Sequence, residues 1–430
     1  MEAGRSTGAA SFVAEPNLGL LETTPGRCPP SRLYDILAVS MAQSVHGFSV
    51  PFQFPVCFTW DAFSVENHVF VDAIRSREPD RRHRVLIVID SQVASAHPTL
   101  PAEIDAYFGA YPASLELVAP PVVVPGGEAV KNDLTHPLLL LKHISDVGLD
   151  RQSFLAVIGG GAVLDMVSFA AAVAHRSVRV VRLPTTVLAQ ADSGVAVKNG
   201  VNLFGKKNFI GTFVPPFAVI NDGRFLESLE PRDVIGGVVE AVKVALLRDP
   251  AFFQYFEAHV DQIAAADRVT LAAIIRRSAE LHLAHICGNG DPFELGSARP
   301  LDFGHWAAHK LESLTEHRLR HGEAVAIGMA LDLIYSVRMA YLDRACAERI
   351  VRLLEAIGLT LWDEAIVGRD ATGAVAVIAG LQEFREHLGG ELHVTLLRDI
   401  GDSFEVTSMD ESVVRASIDE LAARAADGDR

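Results

Sequence analysis

The sequence predicts an α/β layer built on a parallel sheet, followed by a second half that is mainly helical. Two observations carry the prediction. Between Pro51 and Asp222, short apolar runs alternate with helical stretches, which is the order of a βαβ sheet. After Asp222 the runs lengthen into amphipathic segments with helical periodicity, which places a boundary near residue 222.

In chain order, residues 1–45 are rich in Gly, Pro, Ser and Thr around one apolar patch, YDILAVSMA, and read as a poorly ordered extension. Residues 46–222 form the α/β domain. RVLIVID (84–90) is continuously apolar and ends in an acid, as a strand buried on both faces does. LELVAPPVVV, FLAVIGGG and VRVVRLPTT repeat the pattern, with HPLLLLKHISDVG as an intervening helix. Residues 223–430 form the helical domain, from PRDVIGGVVEAVKVALLRD, VTLAAIIRRSAELHLAHI, GEAVAIGMALDLIYSVRMAYL and AERIVRLLEAIG.

Composition narrows the function classes. At 430 residues, 49% apolar and 21% charged, the chain reads as an ordinary soluble protein with room for two cores. Its net charge of −16 argues against a nucleic-acid partner, which needs a basic face. A phosphorylated substrate would need a local cationic pocket working against that field. Cys28, Cys57, Cys287 and Cys346 lie far apart, with neither a disulfide framework nor a thiolate metal site in view. No apolar run reaches membrane-spanning length and no basic-then-apolar leader opens the chain, so a cytoplasmic location without a membrane partner is expected.

Chemistry concentrates in two places. The first is an anion cradle: strand 154–158 runs into Gly159, Gly160 and Gly161 and then a helical pattern, so small residues let backbone amides approach phosphate at a helix start. The spacing is not GxGxxG, so the ordinary Rossmann fingerprint is absent. Asp90, ending an earlier strand, suits ribose hydroxyls, and Glu128 and Lys131 add a carboxylate and an amine at the same sheet edge. Thr185, Thr186, Asp192, Lys198, Lys207 and Asn208 follow with hydroxyls, a carboxylate and donors, and Arg176 offers a bidentate phosphate contact.

The second place is a histidine cluster. His305 and His309 stand four apart on one helical face, and His321 follows in HGE at the start of the next apolar run. Two or three imidazoles with a carboxylate make a divalent-metal site with an open position. Spacing alone leaves open which of the three ligate, and core or surface placement competes in a chain with 16 histidines.

Taken in order over about residues 50–400, GGGAVLDMVSFAAA, PTTVLAQADSGVAVKNGVN, GKKNFIG, GGVVEAVK, DFGHWAAH and HGEAVAIGMA resemble the sugar phosphate cyclases, which include dehydroquinate synthase and the sedoheptulose 7-phosphate cyclases. The resemblance implies an NAD-binding α/β domain and a helical domain with the active site between them, in a homodimer. It implies a divalent metal, zinc or cobalt, on Glu240, His305 and His321, with Lys243 one turn after Glu240 and His309 a substrate neighbour, not a ligand. It implies NAD held by Asp90, Glu128, Lys131, Gly159, Gly160, Gly161, Asp165, Thr185, Thr186, Asp192, Lys207 and Ser228; the family often has threonine at the last position. Phosphate and substrate would be met by Arg176, Lys198, Asn208, Lys243, Asp302, His309 and Arg385, and catalysis carried by Lys198, Lys243, Asp302 and His309. The implied reaction is that of a phosphate-eliminating lyase: transient oxidation by NAD, loss of phosphate, return of the hydride and aldol closure to a carbocycle.

The substrate reading turns on departures from dehydroquinate synthase, whose substrate carries a carboxylate. Its arginine seven residues before the first histidine ligand is Ala298 here, and Arg299, one residue off, is turned elsewhere. Its upstream lysine has no counterpart around Ala284 and His285, and its asparagine three before the ligand is Asp302. Its Asp-Lys-Lys near the C-terminus becomes Phe384, Arg385 and Glu386. Each lost charge-assisted hydrogen bond is worth about 1.5–3 kcal/mol. A neutral polyol donates to Asp302, so the expected substrate is sedoheptulose 7-phosphate and the expected product a valiolone-type C7 cyclitol, with His309 favouring the 2-epi-valiolone branch. The competing readings are a dehydroquinate synthase acting on the carboxylated heptulosonate phosphate, and a metal-dependent polyol dehydrogenase.

Overall fold

The computed structural model describes residues 46–204, 206–288, 292–293, 301–387 and 390–428. The extension at 1–45, Ala298 and Arg299 lie outside the described residues. Phe52–Arg430 form one compact unit.

Its first part is a seven-stranded sheet of β1 (Val56–Thr59), β2 (His83–Asp90), β3 (Leu115–Leu117), β4 (Val122–Val124), β5 (Phe154–Gly159) and β6 (Arg179–Pro184), completed after the hairpin β7 (Lys198–Leu203) and β8 (Lys206–Phe213) by β9 (Ala218–Asp222). Every pairing in the large sheet is parallel, in the order β1-β9-β6-β5-β2-β3, with β4 also beside β2. The run LELVAPPVVV divides into two short strands because Pro120 and Pro121 have no N–H to give a ladder. The hairpin β7–β8 has no counterpart among the predicted elements.

Helices α1 (Val69–Arg75), α2 (Ser91–Ala96), α3 (Leu100–Ala110), α4 (Thr135–Asp146) and α5 (Gly161–Val173) cover the sheet. Alternate residues of β2 feed its two faces. Val85, Ile87 and Ile89 pack with Phe70, Ile104 and Tyr107, while Leu86 and Val88 pack with Leu140, Val163 and Val167. A strand sandwiched in this way must be apolar along its covered length, as residues 85–89 are.

Topology locates the crevice. From β2 the chain builds outward to β3 and β4, then returns to place β5, β6 and β9 on the opposite side. Asp90 and Gly159, the last residues of neighbouring strands, flank that reversal. The space beyond the carboxyl ends at such a reversal is where open α/β sheets take ligands.

The second part holds α6 (Pro231–Arg248), α7 (Pro250–Ala258), α8 (Val260–Ala264), α9 (Arg268–Gly288), α10 (His305–Leu314), α11 (His321–Arg338), α12 (Arg344–Ala356) and α13 (Ala379–His387), then the antiparallel hairpin β10 (Val394–Asp399) and β11 (Asp402–Val406), and α14 (Glu411–Gly428). α11 is buried on every side, so its run AVAIGMALDL is apolar beyond a single stripe. It crosses the start of α10 backbone to backbone: a Cβ on Gly328 would stand 2.1 Å from the Gly304 carbonyl oxygen. Among the described residues no helix is long and apolar enough to cross a membrane.

Candidate active site

Three ligand-type side chains meet where α6, α10 and α11 converge. Glu240 lies within α6 and is 1% exposed; His305 and His321 are the first residues of α10 and α11. From Oε1 of Glu240, His321 Nε2 is 3.5 Å away and His305 Nε2 3.7 Å. Neighbouring ligands on a tetrahedral zinc with bonds of about 2.0–2.1 Å stand about 3.3 Å apart, so these atoms are spaced much as a cation would hold them. Oε1 is buried and accepts no hydrogen bond of proper geometry, so its lone pairs suit a cation. Oε2 faces the ammonium of Lys243, which is equally buried. Burial opposes the charge on Glu240, but Lys243, His305 and His321 hold its carboxyl well below the usual carboxylate range.

Each imidazole presents the nitrogen a metal needs. His305 Nδ1 lies 3.1 Å from the Phe303 carbonyl, and His321 Nδ1 lies 3.2 Å from Glu312 Oε2. With Nδ1–H donated to those oxygens, each ring turns its Nε2 toward Glu240 as the nitrogen a cation would take. Glu312 also accepts from Lys207 Nζ at 3.0 and 3.1 Å. Burial opposes its charge, yet His321 and Lys207 keep it well below the ordinary range. Against its own burial, the His321 ring is lifted to about 9 by Glu312 and Glu240.

Around this centre, His309 packs its ring 5.5 Å from His305 and 6.0 Å from His321. Burial, then the nearby Lys207 and His305, hold it well below its ordinary value, so it is a neutral imidazole. The Lys243 ammonium, which burial would discharge, is kept charged by Glu240, Asp192 and Asp302. Asp192 in turn has its Oδ1 3.3 Å from Nδ1 of His282 on α9.

The glycine turn lies at the carboxyl edge of the sheet. Asp90 caps α2 by accepting from Gln92 N at 2.8 Å, and its carboxylate also meets the Gly160 amide. Burial raises its pKa against the pull of these amides. Thr185 N donates to the Gly159 carbonyl at 3.1 Å, and Thr186 Oγ1 accepts from Ala189 N. A Cβ on Gly161 would come within 2.8 Å of Ser193 Oγ, so glycine keeps the start of α5 open. Beside the turn Lys131 is buried, donating to Asp165 at 2.7 Å and to Asn208 Oδ1 at 2.6 Å, while Glu128 accepts from Asn202. Ser228 pairs with His97 Nε2 at 3.0 Å. The π-helical turn Ala189–Ser193 joins the two regions, with Ser193 against the cradle and Asp192 beside Lys243. A cavity of about 450 Å³ lies elsewhere, walled by Phe58, Trp60, Leu271 and Arg276, and no predicted site residue lines it.

Comparison with known proteins fits this geometry. Two 3-dehydroquinate synthase family models match, the N-terminal one over residues 121–236 and the C-terminal one over residues 237–377. A 3-dehydroquinate synthase of Halorhodospira halophila is 39% identical over 255 residues, or 59% of this chain and 70% of that protein. A 2-epi-5-epi-valiolone synthase of Streptomyces glaucescens is 34% identical over 279 residues, or 64% of this chain and 70% of that protein. The chain belongs to the sugar phosphate cyclase superfamily. A solved member of that superfamily, the 2-epi-5-epi-valiolone synthase of Streptomyces hygroscopicus subsp. jinggangensis with NAD+ and Zn2+ bound, is 25% identical. It superimposes with a TM-score of 0.77 over 89% of this chain and 100% of its own.

Several roles that the cyclase resemblance implies are placed differently by the structure. Arg176 is exposed in the turn after α5, whose 13 residues put it about 20 Å from the glycine turn at the helix start. It therefore does not join the site within one chain. Asn208 commits its carboxamide oxygen to Lys131, and Lys207 its ammonium to Glu312. On α13 it is Phe384 whose ring faces His309, at 6.4 Å, while Arg385 is exposed. Lys198 opens β7 with its side chain exposed, its carbonyl accepting from buried Arg182. On α9 the inward residue is His282, 7% exposed, whereas Ala284 is exposed and His285 half-buried. Glu312 was missed altogether, although its spacing of four and then three residues along His305, His309 and Glu312 places all three on one face of α10.

Proposed function

We propose that this sugar phosphate cyclase uses NAD and a divalent cation, zinc or cobalt, to convert sedoheptulose 7-phosphate into inorganic phosphate and a C7 cyclitol of the 2-epi-valiolone type. The observation that carries the substrate is Asp302, which stands where dehydroquinate synthase has asparagine. Its charge acts on the Lys243 ammonium, which already faces Glu240. A substrate carboxylate brought there meets a like charge, whereas a hydroxyl of a neutral polyol donates to it.

Glu240, His305 and His321 would hold the cation, with Glu312 orienting His321. Gly159, Gly160 and Gly161, with Asp90, Thr185, Thr186 and Asp192, would surround NAD, and Glu128, Lys131, Asp165, Lys207 and Ser228 stiffen its surroundings. Bound there, NAD would supply a reversible hydride acceptor and the cation a Lewis acid for the substrate's oxygen. His309, neutral through burial, accepts a hydrogen bond or a proton from a substrate hydroxyl. Lys243 would donate to the same polyol, and Lys198, exposed at the start of β7, would meet the phosphate. Arg176 would reach a phosphate only from a second copy of the chain, which supports a homodimer.

The test gives purified protein, NAD and Zn2+ or Co2+ either sedoheptulose 7-phosphate or the carboxylated heptulosonate phosphate. The expected result is phosphate release from the first, no net NADH absorbance, and an NMR spectrum of a C7 cyclitol. Turnover of the heptulosonate alone would make the protein a dehydroquinate synthase. Stoichiometric NADH without phosphate release would make it a polyol dehydrogenase.

A further inference from the structure

Asp332 is completely buried on α11, about three turns beyond His321 and so on the same helix face. Its Oδ2 accepts from the Gly304 amide at 3.0 Å and its Oδ1 from the Trp306 indole at 2.8 Å. Those two donors belong to the residues on either side of His305. Among the described residues Asp332 makes no ion pair, and a buried carboxylate without a counter-charge is costly. Packing alone would favour an apolar side chain at this point. What a carboxylate adds is two acceptor oxygens in one rigid plane, matched here to two donors that arrive from different directions.

We infer that Asp332 is a positioning residue for the cation centre. It ties the first turn of α10 to α11, so that His305 Nε2 and His321 Nε2 keep the separation one ion needs. The glycines on the other side of the crossing leave no slack: a Cβ on Gly304 would stand 2.6 Å from the Met329 amide nitrogen. Asp332 therefore supplies the pull and the glycine contact the stop. A carboxamide at 332 would satisfy one donor and set its own NH2 against the other. The inference rests on the reading that Glu240, His305 and His321 share a cation.

The experiment titrates metal-free full-length protein with Co2+, reading the visible ligand-field bands, and measures Kd by competition with a chelator. The wild type should bind one equivalent. D332N and D332A should bind about 10–100-fold more weakly with shifted bands, as loss of an outer-shell partner does elsewhere. W306F, which removes only the indole donor, should fall between. L354A, which opens a cavity under the buried face of α12, supplies a destabilised variant with both Asp332 donors intact and should keep the wild-type Kd and spectrum. If D332A does not fold, D332N and W306F carry the comparison. Wild-type Kd and spectrum in both would overturn the inference, as would equal weakening in L354A. A wild type without Co2+ bands would overturn the cation reading beneath it.

Discussion

Glu312 Oε2 lies 3.2 Å from Nδ1 of His321, and this contact settles which nitrogen of the ring is left for Glu240. The same carboxylate is held from the other side by Lys207, so β8 reaches the cation centre through one intermediary. Glu312→Gln keeps the shape and removes the charge. Its metal affinity, measured by chelator competition, should fall about 10–100-fold with the fold intact by circular dichroism. Undiminished affinity would mean that Glu312 serves Lys207 alone.

Glu240 has two tasks that a pair of variants separates. Glu240→Gln removes a ligand and strands the buried Lys243 ammonium, and unpairing a buried charge costs about 3–5 kcal/mol. The metal-free variant should therefore melt well below the wild type. Adding Lys243→Met should restore most of the Tm while leaving the protein unable to retain Zn2+ through gel filtration. Recovery of both properties together would show that the carboxylate is not a ligand.

The crossing of α10 and α11 can be probed with one methyl group. Gly328→Ala forces a Cβ into the Gly304 carbonyl and should cost about 1–3 kcal/mol or more in urea unfolding. Gly109, in α3, has nothing within 4 Å of a built Cβ, so Gly109→Ala should be neutral or stabilising by about 0.4–1 kcal/mol. Equal effects at the two sites would mean that the crossing relaxes freely.

Burial pushes the Asp332 carboxyl up to about 7, against the pull of the Trp306 indole and the Gly304 amide. An unfolded aspartate titrates near 3.9, so between roughly pH 4 and pH 7 the folded chain binds the extra proton. Stability through this group is thus greatest at the acid end and falls as pH rises, by up to about 1.4 kcal/mol per unit. In metal-free protein, the Tm of the wild type relative to D332N should decline from about pH 4 to about pH 7 and then level off. Parallel curves would show that the carboxyl stays ionised throughout.

If Asp302 excludes a carboxylated substrate by like charge, Asp302→Asn should relax that exclusion. The ratio of kcat/KM for the heptulosonate phosphate over sedoheptulose 7-phosphate should rise about tenfold, the equivalent of one charge-assisted contact. An unchanged ratio would move the discrimination to other groups.

Much of the molecule could be read beforehand because burial on both faces leaves a strand no freedom in its pattern. β5 and residues 85–89 of β2 are unbroken apolar runs, as a covered parallel sheet requires, and β6 keeps the pattern around a buried Arg182. The hairpin β7–β8 escaped because its pattern of exposed lysines and glycines suits a loop equally well, and its strand pairing involves residues that periodicity does not rank. In the site, Glu240, His305 and His321 were legible through motifs, since each sits at a fixed place on a helix. The electrostatic partners were not, because pairing such as Lys207 with Glu312 or Asp192 with His282 joins residues about a hundred positions apart in sequence. Arg176 failed for the same reason in reverse. It stands near the cradle in sequence, but a helix of fixed rise carries it to the opposite rim.

Both histidines of the centre begin helices, and a helix start bears the positive end of its aligned peptide dipoles, about half an elementary charge each. Two such ends converge on the spot where Glu240 brings its single carboxylate. The backbone therefore adds a positive contribution to the local potential beside that of the titrating groups. A cation held here is opposed by both helix ends, and the buried carboxylates of Glu240 and Glu312 are what offset them.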